Sequence, residues 1–426
     1  DSDMGPAIFV PIFRKSDNSE ENKMSGCGCS FSPAEEIKEE VKYTDALAEQ
    51  FAKEVGVDPR PNETLVEIDE RGAFIRQPNA FIQPFGDEEG DLKAEANRYG
   101  IYWATGCNWS NRPIIVRDLL GLQDVISDTR VTHSGETNSY GHAFGDQPGF
   151  KDPKTGAYFL SEFYKRANSD FKGRATTPTL VDIKEKKAVN NDYHRLTNYI
   201  EVQFRPFQPK DAPDLYPKKF RKEIDEFNDW LFPHVNNGHY RMAFCQSPEA
   251  YDEAYEDFYE SLEKLDKRLE TNRFLFGDYI TDSDVRAYVT LVRWDVSYFH
   301  NIGPVKKPIR DYKNIWGYLR ELYAIPAFRH GSDPQVLALD GPRKKLGEVL
   351  FRGYNDRILS KVDFERRKLS KTPDELFLRH PEGETYEDYA GPISKTIWNS
   401  PKWEDRNPKN GTLSVDASIN PLKGLL

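Results

Sequence analysis

The chain has 426 residues, 38% of them hydrophobic, enough apolar content to bury a core in each of two or three domains. Its 59 basic and 70 acidic residues leave a formal net charge of −11, with no Lys/Arg block dense enough to track a phosphate backbone. Nucleic acid is therefore excluded as a partner. No run reaches the roughly 18 to 20 apolar residues of a membrane span, and the first residues lack the basic start and apolar centre of a secretion signal, so a soluble, cytoplasmic protein is expected.

Residues 1–90 mix charge runs with Pro and Gly around one amphipathic stretch at 33–55, and read as an extension wrapped on a body. Residues 91–205 carry a denser pattern. "RYGIYWAT" predicts a buried strand, 108–121 a helix, "VISDTRVTH" a strand, 158–168 a helix, "PTLVDI" and "KAVNN" two short strands, and 192–203 a helix. This β-α-β-α-β-β-α order, with a proline opening the third strand, suits a thioredoxin-like α/β domain. A Pro-rich linker, "FRPFQPKDAPDLYP" at 204–217, then leads into an all-helical region, 206–335. There Tyr251, Tyr255, Phe258, Leu262, Leu265 and Leu269 recur at three- and four-residue steps behind a Ser247-Pro248 start, the mark of a core-facing helix. Thr281 and Asp284 form a capping box for a second helix. Residues 336–426 are polar but keep Phe351, Tyr354, Phe364, Phe377, Trp398 and Trp403, which predicts an arm docked on the body or on a partner subunit.

Four cysteines in so long a chain make no disulfide framework and are read as reduced thiols. The eight histidines show no zinc-ligand spacing, so no metal is expected. GxSxG, GxGxxG and P-loop motifs are absent, which weakens hydrolase, dinucleotide and nucleotide-triphosphate readings. One thiol stands out. Cys107 falls where the strand ends and the helix begins, and unpaired amides with the positive end of the helix dipole favour a thiolate there, the reactive form. Three residues on stands Ser110, so the motif is Cys-Asn-Trp-Ser. Ser110 can donate to the sulfur but cannot close a disulfide, so an adduct on Cys107 must be resolved by a small-molecule thiol or a remote cysteine. Cys27 and Cys29 in "SGCGCSF" are either such a resolving pair or part of a plain tail, and Cys245 is read as core.

Over about residues 70–332 the chain resembles the glutathionyl-hydroquinone reductases, the xi class of glutathione transferases. Where that family has Cys-Pro-Trp-Ala-His-Arg before an apolar helix, this chain has "CNWSNRPIIVRDLLGLQDVI". "GRATTPTL", "VNNGHYRMAF", "RFLFGDYITDSDVRAYVTLVRWD" and "DYKNIWGYLRELYAIP" match further family segments in order. The resemblance implies a thioredoxin-like domain followed by an all-helical glutathione-transferase C-terminal domain, in a homodimer. It also implies that Cys107 attacks the sulfur of a glutathionyl-hydroquinone, leaving a mixed disulfide for a second thiol to resolve.

By the same resemblance Asn108, Trp109 and Ser110 border the thiol cofactor, Arg174 contacts it, and Thr177, before a cis-Pro178, offers its backbone to the cysteinyl moiety. Tyr240 and Tyr298 would face the aromatic substrate, where a phenol can hydrogen-bond a departing phenolate and stack on its ring. The family's Glu-Ser grip on the γ-glutamyl group appears as Asp192-Tyr193, and its pocket tryptophan as His142. These departures imply glutathione or a related low-molecular-weight thiol as cofactor. Two alternatives stay open: a conjugating or dehalogenating enzyme using another thiol, and a non-catalytic binding or assembly protein with a degenerate site.

Overall fold

The computed structural model describes residues 42–298, 306–332, 369 and 376–407. Helix α1 (Asp45–Val55) starts at Thr44, whose hydroxyl accepts from the Leu47 amide, and stops at Gly56 with φ of 74°. Its Phe51 stacks on Tyr158 at 4.3 Å. The chain then runs without regular elements to strand β1 (Tyr99–Trp103) and helix α2 (Asn108–Leu119). Strand β2 (Ser127–Arg130), a hairpin of β3 (Thr132–His133) and β4 (His142–Ala143), and helix α3 (Ser161–Ala167) follow. Strands β5 (Thr179–Asp182) and β6 (Lys187–Asn190) lead to helix α4 (Leu196–Gln203). The main sheet has the order β2-β1-β5-β6, with β1 parallel to β2 and antiparallel to β5. This is the thioredoxin-like layer expected from the sequence.

Three expected boundaries move, each for a local reason. "VISDTRVTH" is two strands, because after Val131 the chain leaves β1 and Thr132–His133 pairs with β4. The helix expected from 158 begins at Ser161, because the Glu162 carboxylate reaches back to accept from the Tyr158 and Phe159 amides and holds those residues in the turn before the helix. The helix expected from 192 begins at Leu196, because Asp192 folds the chain into a turn by accepting from the His194, Arg195 and Leu196 amides.

The helical layer comprises α5 (Arg221–Leu231), a π-helical turn at Phe232–Asn236, α6 (Gly238–Phe244) and α7 (Pro248–Thr271). It continues with α8 (Asp282–Leu291), α9 (Lys313–Tyr323) and α10 (Pro326–Ser332). Ser247 caps α7 through the Ala250 amide and the Thr281–Asp284 capping box starts α8, both as the sequence predicted. No helix among the described residues is long and apolar enough to cross a membrane.

One apolar core runs from sheet residues Ile101 and Leu180 through α2 into α5, α7, α8 and α9. Helix α2 is buried on every side from Asn108 to Arg117, which is why its sequence carries no polar stripe. Beside it a buried ionic knot ties α4 to α8. Asp282 accepts from Arg286 Nε at 2.6 Å, Thr197 Oγ1 at 2.7 Å and Asn228 Nδ2 at 3.0 Å, while Arg286 Nη1 donates to the His194 carbonyl at 2.7 Å.

The segment 204–217 does not behave as a linker. Ala212 to Pro217 are buried, and the Asp214 amide donates to the Leu378 carbonyl at 2.9 Å. What covers it is the chain's own C-terminal segment, whose short helices are α11 (Tyr386–Tyr389) and α12 (Trp403–Arg406). Phe351, Tyr354 and Phe364 lie outside the described residues, as do Cys27 and Cys29.

Candidate active site

Strand β1 runs to Trp103, the chain turns at Thr105–Gly106, and Cys107 becomes the N-cap of α2 with φ of −95° and ψ of 110°. No side chain caps the helix, so its first-turn amides are left toward the sulfur end. The thiol is half-buried and donates to the Thr177 carbonyl at 3.3 Å, beside the cis Thr177-Pro178 bond. The juxtaposition comes from the sheet, since β5 follows Pro178 and pairs directly with β1.

The three residues after the cysteine do different work. Ser110 Oγ hydrogen-bonds the Ala104 and Cys107 carbonyls, both at 3.0 Å, and accepts from the Ala104 amide. Its proton thus goes to the turn backbone and not to the sulfur, which corrects the expectation that it supports a thiolate directly. Asn108 is buried and donates to Thr290 Oγ1 on α8 at 3.1 Å, so it joins the layers. Trp109 forms the floor of the site. Its ring stacks on Tyr193 at 5.1 Å, and the guanidinium groups of Arg76 and Arg112 lie over it at 4.8 and 4.9 Å.

Tyr240 and Tyr298 are brought together, with hydroxyl oxygens 3.1 Å apart. Burial holds the Tyr240 phenol above its ordinary value, with Arg76 opposing and Cys107 reinforcing the shift. Burial raises Tyr298 still further, reinforced by Tyr240 and Cys107 and opposed by Arg293. Both therefore stay protonated at neutral pH and can offer a proton or a hydrogen bond close to the sulfur.

Arg174 and His142 face elsewhere. Arg174 is half-exposed and its Nη2 pairs with Glu67 at 2.6 Å. His142 packs against His133 in the β3–β4 hairpin, its rings 6.2 Å apart, and burial pushes it down to about 4, so it is neutral. Asp192 is buried; Asn79 Nδ2 donates to its Oδ1 at 3.4 Å and to Asn399 Oδ1 at 2.9 Å. Burial raises its carboxyl, with Asn399, Arg195 and the His194 amide opposing. Tyr193 is buried against Trp109, and burial pushes its phenol up to about 12. Cys245 is half-buried at the end of α6, and burial raises its thiol.

Sequence reasoning missed Arg76, Arg112, Phe232, Trp398 and Arg406. Phe232 and Trp398 join Trp109 and Tyr193 in one aromatic cluster, against which Cys107 and Tyr240 pack. Arg112 bonds the Tyr193 carbonyl and Asn236 from inside the motif that carries the cysteine. That motif was the one available signal. Trp398 was legible only as one of the aromatics of a docked arm, and nothing near positions 76 or 406 in the sequence marks them.

Residues 248–321 match the family model described as the glutathione S-transferase C-terminal domain. Glutathionyl-hydroquinone reductase YqjG of Escherichia coli is 37% identical over 264 residues, covering 60% of this chain and 80% of that protein. The Xi glutathione transferase structure from Phanerochaete chrysosporium superposes with a TM-score of 0.59 at 30% identity, covering 70% of this chain and 92% of that one. The glutathione-bound structure of YqjG gives 0.55 at 30% identity, covering 72% and 97%. With a thioredoxin-like sheet, a helical layer and this likeness over most of the length of those proteins, the chain belongs to the glutathionyl-hydroquinone reductases, the Xi class of the glutathione transferases.

Proposed function

We propose that the protein is a glutathione-dependent reductase that removes a glutathionyl group from a hydroquinone-like aromatic. The Cys107 thiolate attacks the substrate's thioether sulfur and the sulfur–ring bond breaks. The ring carbon takes a proton, and Cys107 is left in a mixed disulfide. A second glutathione thiolate attacks that disulfide, releasing oxidised glutathione and restoring Cys107, so the substrate's thioether sulfur and one glutathione thiol together give up the two electrons that the ring carbon gains. Tyr240 and Tyr298 hydrogen-bond the phenolic oxygen, and the helix amides stabilise the sulfur charge as it develops.

One observation carries this reading: a half-buried cysteine at an uncapped helix N-terminus, near two phenols that burial keeps protonated. A conjugating enzyme would instead need a hydroxyl beside the cofactor sulfur, and the Ser110 hydroxyl is bonded to the turn backbone. Incubation with a glutathionyl-hydroquinone followed by intact-mass analysis should show one glutathione adduct, reversed by free glutathione. Cys107→Ser should form no adduct and lose turnover by on the order of 10³-fold or more. Turnover retained in that variant would rule the mechanism out.

A further inference from the structure

Beside the aromatic cluster that holds Cys107 lies a narrow cleft lined by Arg76, Tyr193, Asn237, Trp398, Trp403 and Arg406. Its cavity of about 30 Å³ has room for roughly two waters or one carboxylate, and none for an aromatic ring. Two cations border it with no carboxylate in hydrogen-bond contact among the described residues; Glu67 acts on Arg406 only through space. The Arg76 guanidinium lies between the rings of Trp109 and Tyr240, at 4.8 and 4.4 Å, and only its Nε is bonded, to Asn237 Oδ1 at 2.7 Å. Arg406 is 7% exposed, donates through Nη1 to the Arg76 carbonyl, and leaves Nε without a partner. Trp398, 5% exposed, leaves its indole N–H unpartnered as well.

The neighbouring acids are already engaged. Glu67 pairs with Arg174 and accepts from the Gln77 amide, while Glu253 and Asp257 pair with Arg241. Buried donors and cations left unpaired are costly unless a ligand completes them.

We propose that Arg76, Arg406 and the Trp398 indole form a carboxylate-binding subsite for the molecule that reaches Cys107. This rests on the small-thiol chemistry proposed above. The anion completes the guanidinium fork of Arg406, which is suited to two-point recognition of a planar carboxylate. It belongs either to the thiol cofactor or to an acid-bearing aromatic acceptor. Two of its three donors come from the C-terminal segment, more than 200 residues beyond Tyr193.

Binding to full-length Cys107→Ser protein separates the sources, because it needs no turnover and no adduct. Calorimetry would use glutathione against its dimethyl ester, and 2,5-dihydroxybenzoate against hydroquinone. Arg406→Gln should weaken the acid of one pair by about tenfold or more while leaving its neutral partner unchanged, and Arg76→Gln, which also rests on Trp109 and Tyr240, should weaken the acid more than its neutral partner. Loss in the first pair assigns the carboxylate to the thiol, and loss in the second to the acceptor. Arg406→Lys, which keeps the charge but not the fork, should fall between, with folding checked by circular dichroism. Equal affinities of parent and both Gln variants for all four probes, or no preference of the parent for either acid, would overturn the subsite. Failure of the reductase reading shows separately, as a missing adduct on Cys107 in the unsubstituted protein.

Discussion

Tyr240 and Tyr298 are coupled, because their oxygens share one hydrogen bond, and in the proposed mechanism they would act as a pair. Replacing either by phenylalanine leaves the partner without its mate, and each change should lower kcat by roughly 10²-fold. The double variant should fall little further, since the two act as a unit. With both phenols held above their ordinary value, neither loses its proton below about pH 10, so the pair adds no alkaline fall to kcat/KM up to that pH. A steady-state series over pH 6 to 10 in parent and single variants checks both statements. Trp109 acts by surface and not by charge: it gives Tyr193 a stacking face and two guanidiniums a π-face on which to rest.

Helix α8 shows how an element can be well capped and still carry an electrostatic load. Its capping-box carboxylate, Asp284, is fully buried and pushed up to about 6 from 3.8 by that burial, despite accepting from the Leu275 and Thr281 amides. Between those values the folded protein holds a proton that the unfolded chain has released. The stability this group confers is full below about pH 3.8 and is lost as pH rises through about 6. Thermal melts of the parent and Asp284→Asn should therefore differ in a pH-dependent way. The parent should lose ground to the variant as pH rises from about 4 to about 6 and hold level above that. A constant difference across that window would contradict the burial argument. The Asp282–Arg286 knot, which starts two residues before Asp284, has the opposite balance: burial raises Asp282, but Arg286 and Thr197 more than offset it, and its carboxyl is lowered.

Across the chain, the described C-terminal residues act as a strap on their own body. The Ile280 amide donates to the Leu376 carbonyl, Arg221 donates to the Tyr389 carbonyl, Tyr389 donates to Asp214, and Arg195 donates to the Ser394 carbonyl. These contacts join residues 376–394 to the body of the same chain. Tyr389 and Trp398 are 1% and 5% exposed. Losing a large buried aromatic costs about 3–5 kcal/mol, so a chain ending at residue 375 should melt lower by on the order of 10 °C or more. It should also expose Asp192 to solvent. Differential scanning calorimetry of the two chain lengths checks the first outcome, and an unchanged melting temperature would mean that the strap adds nothing.

Much of this was legible in the residue order. The β-α-β-α-β-β-α pattern, the Ser247 and Thr281 caps and the placement of Cys107 at a strand–helix junction depend on neighbours a few residues apart, where periodicity and hydrogen-bond geometry act. The direction of the Ser110 hydroxyl, the sealing of Asp192 by Asn79 and Asn399, and the packing of 204–217 under the C-terminal strap were not legible. Those follow from which buried polar groups meet when distant segments pack. Arg76 and Arg406 stand 330 residues apart, yet one donates to the carbonyl of the other. Local patterns determined the elements and the placement of Cys107, while the tertiary structure alone decided which cations and donors surround it, because burial and partner choice are properties of the assembled core.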